Sequence, residues 1–161
     1  MNKINIFCFG FGQVAEAFIN KLIDRNINFK LGITSRKDTH KIEINNIKIN
    51  SYMFENDKFD ESINTELEKA NYVLISIPPV NGEDLVSKNF GISLKKNNNC
   101  RWITYLSATS VYGDHKGEWV DEKSITKPTS INGMNRLKAE ESWMEISKKH
   151  NLPLQIFRLA G

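Results

Sequence analysis

Near its start the sequence reads Ile4-Asn5-Ile6-Phe7-Cys8-Phe9-Gly10-Phe11-Gly12-Gln13-Val14-Ala15, an apolar run that ends at two glycines. A helical pattern follows at once, with these apolar residues on one face: Val14, Ala15, Phe18, Leu22 and Ile23. A strand, a Gly-x-Gly turn and a helix form the context in which such glycines bind a pyrophosphate. Gly10 would make the tight turn, Gly12 would let the pyrophosphate approach the helix N-terminus, and Ala15 would permit close helix–strand packing. The predicted cofactor contacts at this turn are Gly10, Phe11, Gly12, Gln13 and Val14. An ordinary tight connection is the alternative.

The composition is that of one soluble globular domain, which we assign to residues 1–161. The chain has 40% hydrophobic and 25% charged residues and a net charge of +3. Its lysines are scattered among acidic residues, which argues against nucleic acid as a partner. Cys8 and Cys100 have no metal-ligand or disulfide-framework spacing, so no metal site is predicted. No apolar run is long enough to cross a bilayer and no leader pattern is present, so we expect a cytoplasmic protein without a membrane partner.

Strand and helix patterns alternate along the rest of the chain. The predicted strands after the first are 29–34, the second arm of an extended pair around Asn45-Asn46, 72–77, 102–106 and 154–159. The predicted helices after the first are 63–70, 83–96 with an interruption near Gly91, and 132–150. A long loop, 107–130, separates the fifth strand from the last helix. This alternation predicts an α/β fold, a doubly wound parallel sheet in the order 3-2-1-4-5-6 with helices on both faces.

The end of the second strand indicates which cofactor the turn would take. NAD-binding units place an acidic residue about 20 residues after the glycines, whereas an Arg at this place suits the 2′-phosphate of NADP. Here the strand ends Thr34-Ser35-Arg36, with no Asp or Glu. Ser35 and Arg36 therefore favour NADP, with NAD as the alternative cofactor. A solvated charge after a strand is the competing interpretation.

The fourth strand stops at Ile77-Pro78-Pro79. In a doubly wound sheet this carboxyl end lies near the crevice in which ligands bind. We therefore expect these three residues to form a rigid wall beside the cofactor, although two prolines also serve as a simple strand terminator.

A family resemblance emerges from the second half of the chain. The segment Leu106-Ser107-Ala108-Thr109-Ser110-Val111-Tyr112-Gly113-Asp114 resembles the Ser-Ser/Thr-x-x-Val-Tyr-Gly-Asp segment of extended short-chain dehydrogenase/reductases, the epimerase/dehydratase group. The resemblance continues through 119–122 and 127–130 and ends in Phe157-Arg158-Leu159-Ala160-Gly161. The segment Ile75-Ser76-Ile77-Pro78-Pro79 is more similar to an atypical branch of that family. The resemblance implies a Rossmann domain that binds NAD(P).

The same resemblance implies a catalytic Ser/Thr, Tyr and Lys, and this chain departs at all three positions. Ala108 stands at the Ser/Thr position, Asn132 at the Tyr position and Arg136 at the Lys position. Asn has no proton to exchange near neutral pH and Arg does not deprotonate in proteins, so the family's acid–base mechanism is expected to be absent. Arg136 could still hold a ribose or phosphate, and Ser107 stands beside the lost hydroxyl; both are predicted cofactor contacts. No residue is predicted as the catalytic acid.

Members of this family continue past the last strand into a half that lines the substrate pocket, and this sequence does not include that portion. Either the sequence is a fragment of a longer protein or the substrate half has been lost. The first hypothesis is an NADP-linked oxidoreductase or epimerase-like enzyme with an unidentified small-molecule substrate. The second is a dinucleotide-binding sensor or regulatory subunit without redox activity, and a third is an interaction domain that binds no dinucleotide. An apolar edge left open by the missing half would favour a homo-oligomer or a partner subunit.

Overall fold

The computed structural model describes residues 3–44 and 46–160. The strands of this part of the chain are β1 (Ile4–Phe9), β2 (Phe29–Ser35), β3 (His40–Ile44), β4 (Ile47–Glu55), β5 (Lys58–Phe59), β6 (Tyr72–Ile75), β7 (Trp102–Ala108) and β8 (Leu154–Leu159). Its helices are α1 (Gln13–Asp24), α2 (Ser62–Lys69), α3 (Leu85–Lys96) and α4 (Ile131–His150), with a 3₁₀ turn at Thr109–Val111. None of these helices is long and apolar enough to cross a membrane.

The sheet has the order β3-β4-β2-β1-β6-β7-β8, with β5 paired to β4. Strands β4, β2, β1, β6, β7 and β8 run parallel, and they are the six strands that the sequence predicts. The predicted order 3-2-1-4-5-6 is therefore confirmed. The added strand, β3, pairs antiparallel with β4 and forms the sheet edge, as the extended pair of isoleucine-rich segments predicts. Asn45, half of the predicted turn of that pair, lies outside the described residues.

Several predicted ends differ from the structure by one or two residues, and α3 lacks the predicted interruption. The helix predicted to break near Gly91 is continuous, because packing of the buried Gly91 against α4 outweighs the low helix propensity of glycine. A Cβ built there would lie 3.5 Å from Cδ1 of Ile146 on α4, an ordinary contact distance. The fourth strand ends at Ile75 rather than Ile77, because the chain turns away at Ser76 towards the first loop.

The two faces of the sheet are covered unequally. Helices α2, α3 and α4 pack on one face, over a core that includes Phe7, Phe9, Val73, Ile75, Ile103, Tyr105, Leu67, Phe90 and Trp143. Helix α1 packs on the other face through Ala15 and Ile19, against Ile6, Cys8 and Ile33. This arrangement explains why β1 is apolar at every residue from Ile6 to Phe9: alternate side chains enter opposite cores.

Beside α1 an apolar cavity of about 120 Å³ lies over β6 and β7. Val14 and Phe18 of α1 line it together with Trp102 of β7 and Phe157 of β8. Val14 and Phe18 therefore share a face of α1, as the sequence predicts, although Val14 is 45% exposed. Its side chain points to a part of the sheet that no described helix covers.

Candidate functional site

The turn between β1 and α1 is shaped by Gly10. Its φ of +83° is a left-handed conformation that L side chains rarely adopt. A Cβ built at this position would lie 2.7 Å from Cγ2 of Ile77 and 2.9 Å from Oγ of Ser76. The backbone N–H of Gly10 donates to Oγ1 of Thr34 at 2.8 Å, which ties the turn to β2. Gly10 is thus required by the protein's own packing.

Gly12, two residues later, has a different environment. A Cβ built on Gly12 would meet no heavy atom of the described chain within 4 Å, and the residue is exposed. Gly12 is the N-cap of α1, and no side chain caps that end of the helix. The first amide groups of a helix have no partner within the helix, and they and the helix dipole attract anions. Open space in front of uncapped amides fits a pyrophosphate. Gln13 and Val14, the first two residues of α1, are exposed beside this space, and Phe11 is half-buried against the core below α1.

The loop after β6 is fixed against the same turn. Both the backbone N–H and the hydroxyl of Ser76 donate to the carbonyl of Phe9, at 3.0 and 2.9 Å. This double contact brings the half-buried Ile77 against Gly10, and Pro78 and Pro79 follow at the carboxyl edge of the sheet. The structure therefore brings the predicted wall and the predicted phosphate turn into contact through Ile77.

Ser35 and Arg36 lie at the carboxyl end of β2, the strand next to β1. Ser35 is half-buried and accepts a hydrogen bond from Oγ of Ser51 at 3.1 Å. Arg36 is exposed and directly follows the strand. Both residues stand at the same sheet edge as the phosphate turn, the place where a parallel sheet binds ligands.

The positions at which a catalytic triad would stand lie on β7 and α4. Ala108 is the last residue of β7, and Asn132 is exposed in the first turn of α4. The N-terminus of α4 packs closely on the 3₁₀ turn that follows β7, since a Cβ built on Gly133 would lie 2.6 Å from the carbonyl oxygen of Ser110. Ser107 is buried, and its hydroxyl has no hydrogen-bond partner among the described residues. Buried hydroxyls are normally satisfied, so the Ser107 hydroxyl, near the carboxyl end of β7, is an exception among the described residues.

Arg136 is engaged with the backbone of β7. Its Nη1 donates to the carbonyl of Leu106 at 2.6 Å and approaches the hydroxyl of Tyr105 at 3.4 Å. Burial raises the pKa of Tyr105 to about 12, with Arg136 opposing the rise. Burial thus moves Tyr105 further from the pKa near neutrality that suits an acid–base group. Arg136 holds the end of β7 to α4, a role that the sequence does not indicate.

Sequence reasoning missed a buried ion pair beneath the 3₁₀ turn. Glu140 is fully buried, and Arg158 of β8 donates to both of its carboxylate oxygens, with Nη2 2.7 Å from Oε2. The guanidinium of Arg158 also lies 4.8 Å from the ring centroid of Tyr112. Glu140 hydrogen bonding raises the pKa of Arg158 further above its usual range. The pair fixes β8, α4 and the 3₁₀ turn together, and no local sequence signal distinguishes Glu140 from the exposed Glu141 beside it.

The six-stranded parallel order and the glycine turn define a Rossmann-like fold. Among solved structures, a functionally unknown conserved protein from Silicibacter pomeroyi DSS is similar at 29% identity, with a TM-score of 0.77 over 99% of this chain and 53% of that one. UDP-glucuronic acid 4-epimerase from Bacillus cereus, in complex with NAD, is similar at 16% identity and a TM-score of 0.72, over 98% of this chain and 56% of the epimerase. A short-chain dehydrogenase/reductase superfamily protein from Agrobacterium tumefaciens with bound NAD is similar at 14% identity and a TM-score of 0.65, over 96% of this chain and 48% of that one.

These structures show that the chain has the fold of the N-terminal half of epimerases and short-chain dehydrogenase/reductases. The chain spans about half of their length. No protein-family model matches the sequence, and a comparison with curated proteins gives no match.

Proposed function

We propose that this chain binds a nicotinamide dinucleotide at the β1–α1 turn, with NADP preferred to NAD. The observation that carries the proposal is the contrast between the two glycines: Gly10 is enclosed by its own protein, whereas Gly12 has open space before the uncapped N-terminus of α1. A glycine that the fold does not need at a helix start is what close approach of a pyrophosphate requires.

Each part of the cleft has a role in the proposal. The backbone of Phe11, Gly12, Gln13 and Val14 would hold the pyrophosphate. Ser35 and Arg36 would hold the 2′-phosphate, because a guanidinium and a hydroxyl suit a phosphate and the strand end Thr34-Ser35-Arg36 has no Asp or Glu for a ribose diol.

The other wall of the cleft would contact the nicotinamide half. Ile77, Pro78 and Pro79 would flank it, and Ser107 and Arg136 would supply polar contacts. Ser107 supports this assignment because its buried hydroxyl has no partner within the described chain. A bound nicotinamide would supply a hydride acceptor or donor.

The proposal is tested by titrating the protein with NADPH and NADH and following cofactor fluorescence. Gly12→Ala should weaken NADPH binding by about tenfold or more, because a methyl group would occupy the pyrophosphate space. The melting temperature should stay unchanged, since that methyl meets nothing in the protein. Binding that survives Gly12→Ala unaltered, or no binding of either cofactor at millimolar concentration, would refute the proposal.

A second candidate function, a dinucleotide sensor or regulatory subunit without redox activity, is favoured by one specific observation. Asn132, at the position where the resemblance implies the catalytic tyrosine, has no proton to exchange near neutral pH. Tight NADPH binding without hydride transfer to any member of a carbonyl and nucleotide-sugar panel would support this candidate. Turnover with any member of the panel would support an enzyme instead.

A further inference from the structure

A second concave surface lies at the opposite edge of the sheet, at the amino ends of β1, β6 and β7. It has a volume of about 550 Å³ and is lined by Lys3, Ile4, Asn5, Lys69, Asn71, Asn99 and Arg101. Strand β1 separates it from the glycine turn, a length of about 20 Å for six residues. The cleft proposed above therefore does not include this cavity.

Three chain segments build the cavity in the same way. Each segment supplies one cation and one asparagine two positions apart: Lys3 with Asn5, Lys69 with Asn71, and Arg101 with Asn99. Because the three segments lead into neighbouring parallel strands, the repeat places three cations around one rim.

The asparagines form a fixed floor. The backbone N–H of Asn5 donates to Oδ1 of Asn71 at 2.9 Å, and the side-chain amide of Asn71 donates to the carbonyl of Asn99 at 3.4 Å. The side-chain amide of Asn5 donates to the carbonyl of Lys69 at 3.1 Å. These contacts join residues that are 28 to 66 positions apart, so the positions of the three segments are set by the tertiary structure.

The charge of the cavity is unbalanced. No carboxylate lines it, and Lys3, Lys69 and Arg101 form no ion pair within residues 3–44 and 46–160. Lysines elsewhere do pair: Lys30 lies 2.9 Å from Glu66, and Lys88 lies 3.0 Å from Glu83. A concave surface with charges of one sign concentrates the potential and attracts counter-ions.

From this arrangement we propose that the cavity is a binding site for a small anion that carries several phosphate groups. Three separated cations match several phosphates better than one. The lining holds no aromatic side chain and one aliphatic residue, Ile4, so it offers no platform on which a nucleobase would stack. The cavity would therefore recognise the phosphate groups of its ligand and not a base. This proposal is independent of dinucleotide binding at Gly12.

The test is titration of the whole chain with inorganic tripolyphosphate, by calorimetry and by NMR of asparagine side-chain amides. The triple variant Lys3→Gln/Lys69→Gln/Arg101→Gln should bind about tenfold more weakly or worse, and raising the salt concentration from 0.05 to about 0.3 M should weaken binding to the unmodified chain. In the unmodified chain the side-chain amides of Asn71 and Asn99 should shift on titration, whether or not the Gly12 amide, at the proposed pyrophosphate site, shifts as well.

The matched control removes the same total charge elsewhere. Lys21→Gln/Lys58→Gln/Lys123→Gln replaces three exposed lysines outside the cavity and should bind tripolyphosphate within about twofold of the unmodified chain. Equal losses in the two triple variants would overturn the proposal, because they would show a net-charge effect. NMR shifts confined to the residues around Gly12 would also overturn the proposal. This measurement uses the unmodified chain, so it does not depend on whether a variant folds.

Discussion

The proposed cleft has two walls, the β1–α1 turn and the β7–α4 end, and the groups that they offer to a ligand differ. The β1–α1 wall keeps a left-handed Gly10, an open Gly12 and an uncapped helix start, all of which are backbone features. The β7–α4 wall carries Ala108, Asn132 and Arg136, the positions at which the family resemblance implies a Ser/Thr, a Tyr and a Lys. In this fold, binding of a dinucleotide needs backbone amides and open space, whereas proton transfer needs particular side chains. One of the two functions can therefore be present without the other.

The largest expected effect is a loss of stability on substitution of Gly10 that substitution of Gly12 does not cause. Gly10→Ala should lower the free energy of unfolding by about 3 kcal/mol, because Ala is strained at positive φ and its methyl would press on Ile77. For a chain of this size the melting temperature should fall by about 6–12 °C. Thermal unfolding of Gly10→Ala and Gly12→Ala side by side measures this. Equal melting temperatures would contradict the assignment of Gly10 to the fold and Gly12 to the ligand.

The β7–α4 wall is tested by introducing the Ser, Tyr and Lys side chains that the family resemblance implies. Ala108→Ser/Asn132→Tyr/Arg136→Lys should produce NADPH oxidation with a carbonyl panel where the unmodified chain gives none, because a phenol beside a lysine supplies a transferable proton. Asn132 is exposed, so a tyrosine has room. The matched control carries Phe at position 132, which fills the same space without the hydroxyl. If the tyrosine version binds NADPH and stays silent, the side chains of this wall are not what limits the chemistry.

A smaller expected effect concerns the preference for NADPH over NADH at Arg36. Arg36→Ala should weaken NADPH binding by about tenfold and leave NADH binding unchanged, because only NADPH has a phosphate for the guanidinium to contact. Paired fluorescence titrations measure both constants. An equal loss of affinity for NADPH and NADH would contradict the contact between Arg36 and the 2′-phosphate. Lys37→Ala, which removes one positive charge at the next residue, is the control for a general charge effect.

The smallest effect concerns Asp84, which caps α3 behind the second wall. Its carboxylate accepts the N–H of Ser87 at 2.7 Å, and burial raises the pKa of this carboxyl above its usual range. A raised folded pKa means that the folded state binds the proton more tightly, so Asp84 lowers the free energy of unfolding as the pH rises through that pKa. Asp84→Asn keeps a capping oxygen without the charge and should raise the free energy of unfolding at pH 7.

The gain should shrink as the pH falls towards about 3.5, where the native Asp84 is itself neutral. Urea unfolding of both proteins between pH 3.5 and pH 7 gives the difference. A gain that does not change with pH would show that Asp84 is not the titrating group.

The sequence by itself determined the strand order and the place of the glycine turn. Apolar runs such as 72–75 are buried on both faces of a parallel sheet, and right-handed crossovers leave few ways to order such strands. The sequence also shows Ala108, Asn132 and Arg136 at the positions where the resemblance implies a triad, and residue identity alone fixes which protons those side chains can exchange.

Only the tertiary structure decided what those residues do. The engagement of Arg136 with Leu106, the burial of Glu140 beneath Arg158, and the convergence of Lys3, Lys69 and Arg101 join residues distant in the sequence. The two glycines of the turn look alike in the sequence, and their difference depends on Ile77 and Ser76, more than 60 residues away. Local patterns follow from one segment's own periodicity, whereas a side chain's partners follow from how the whole chain packs.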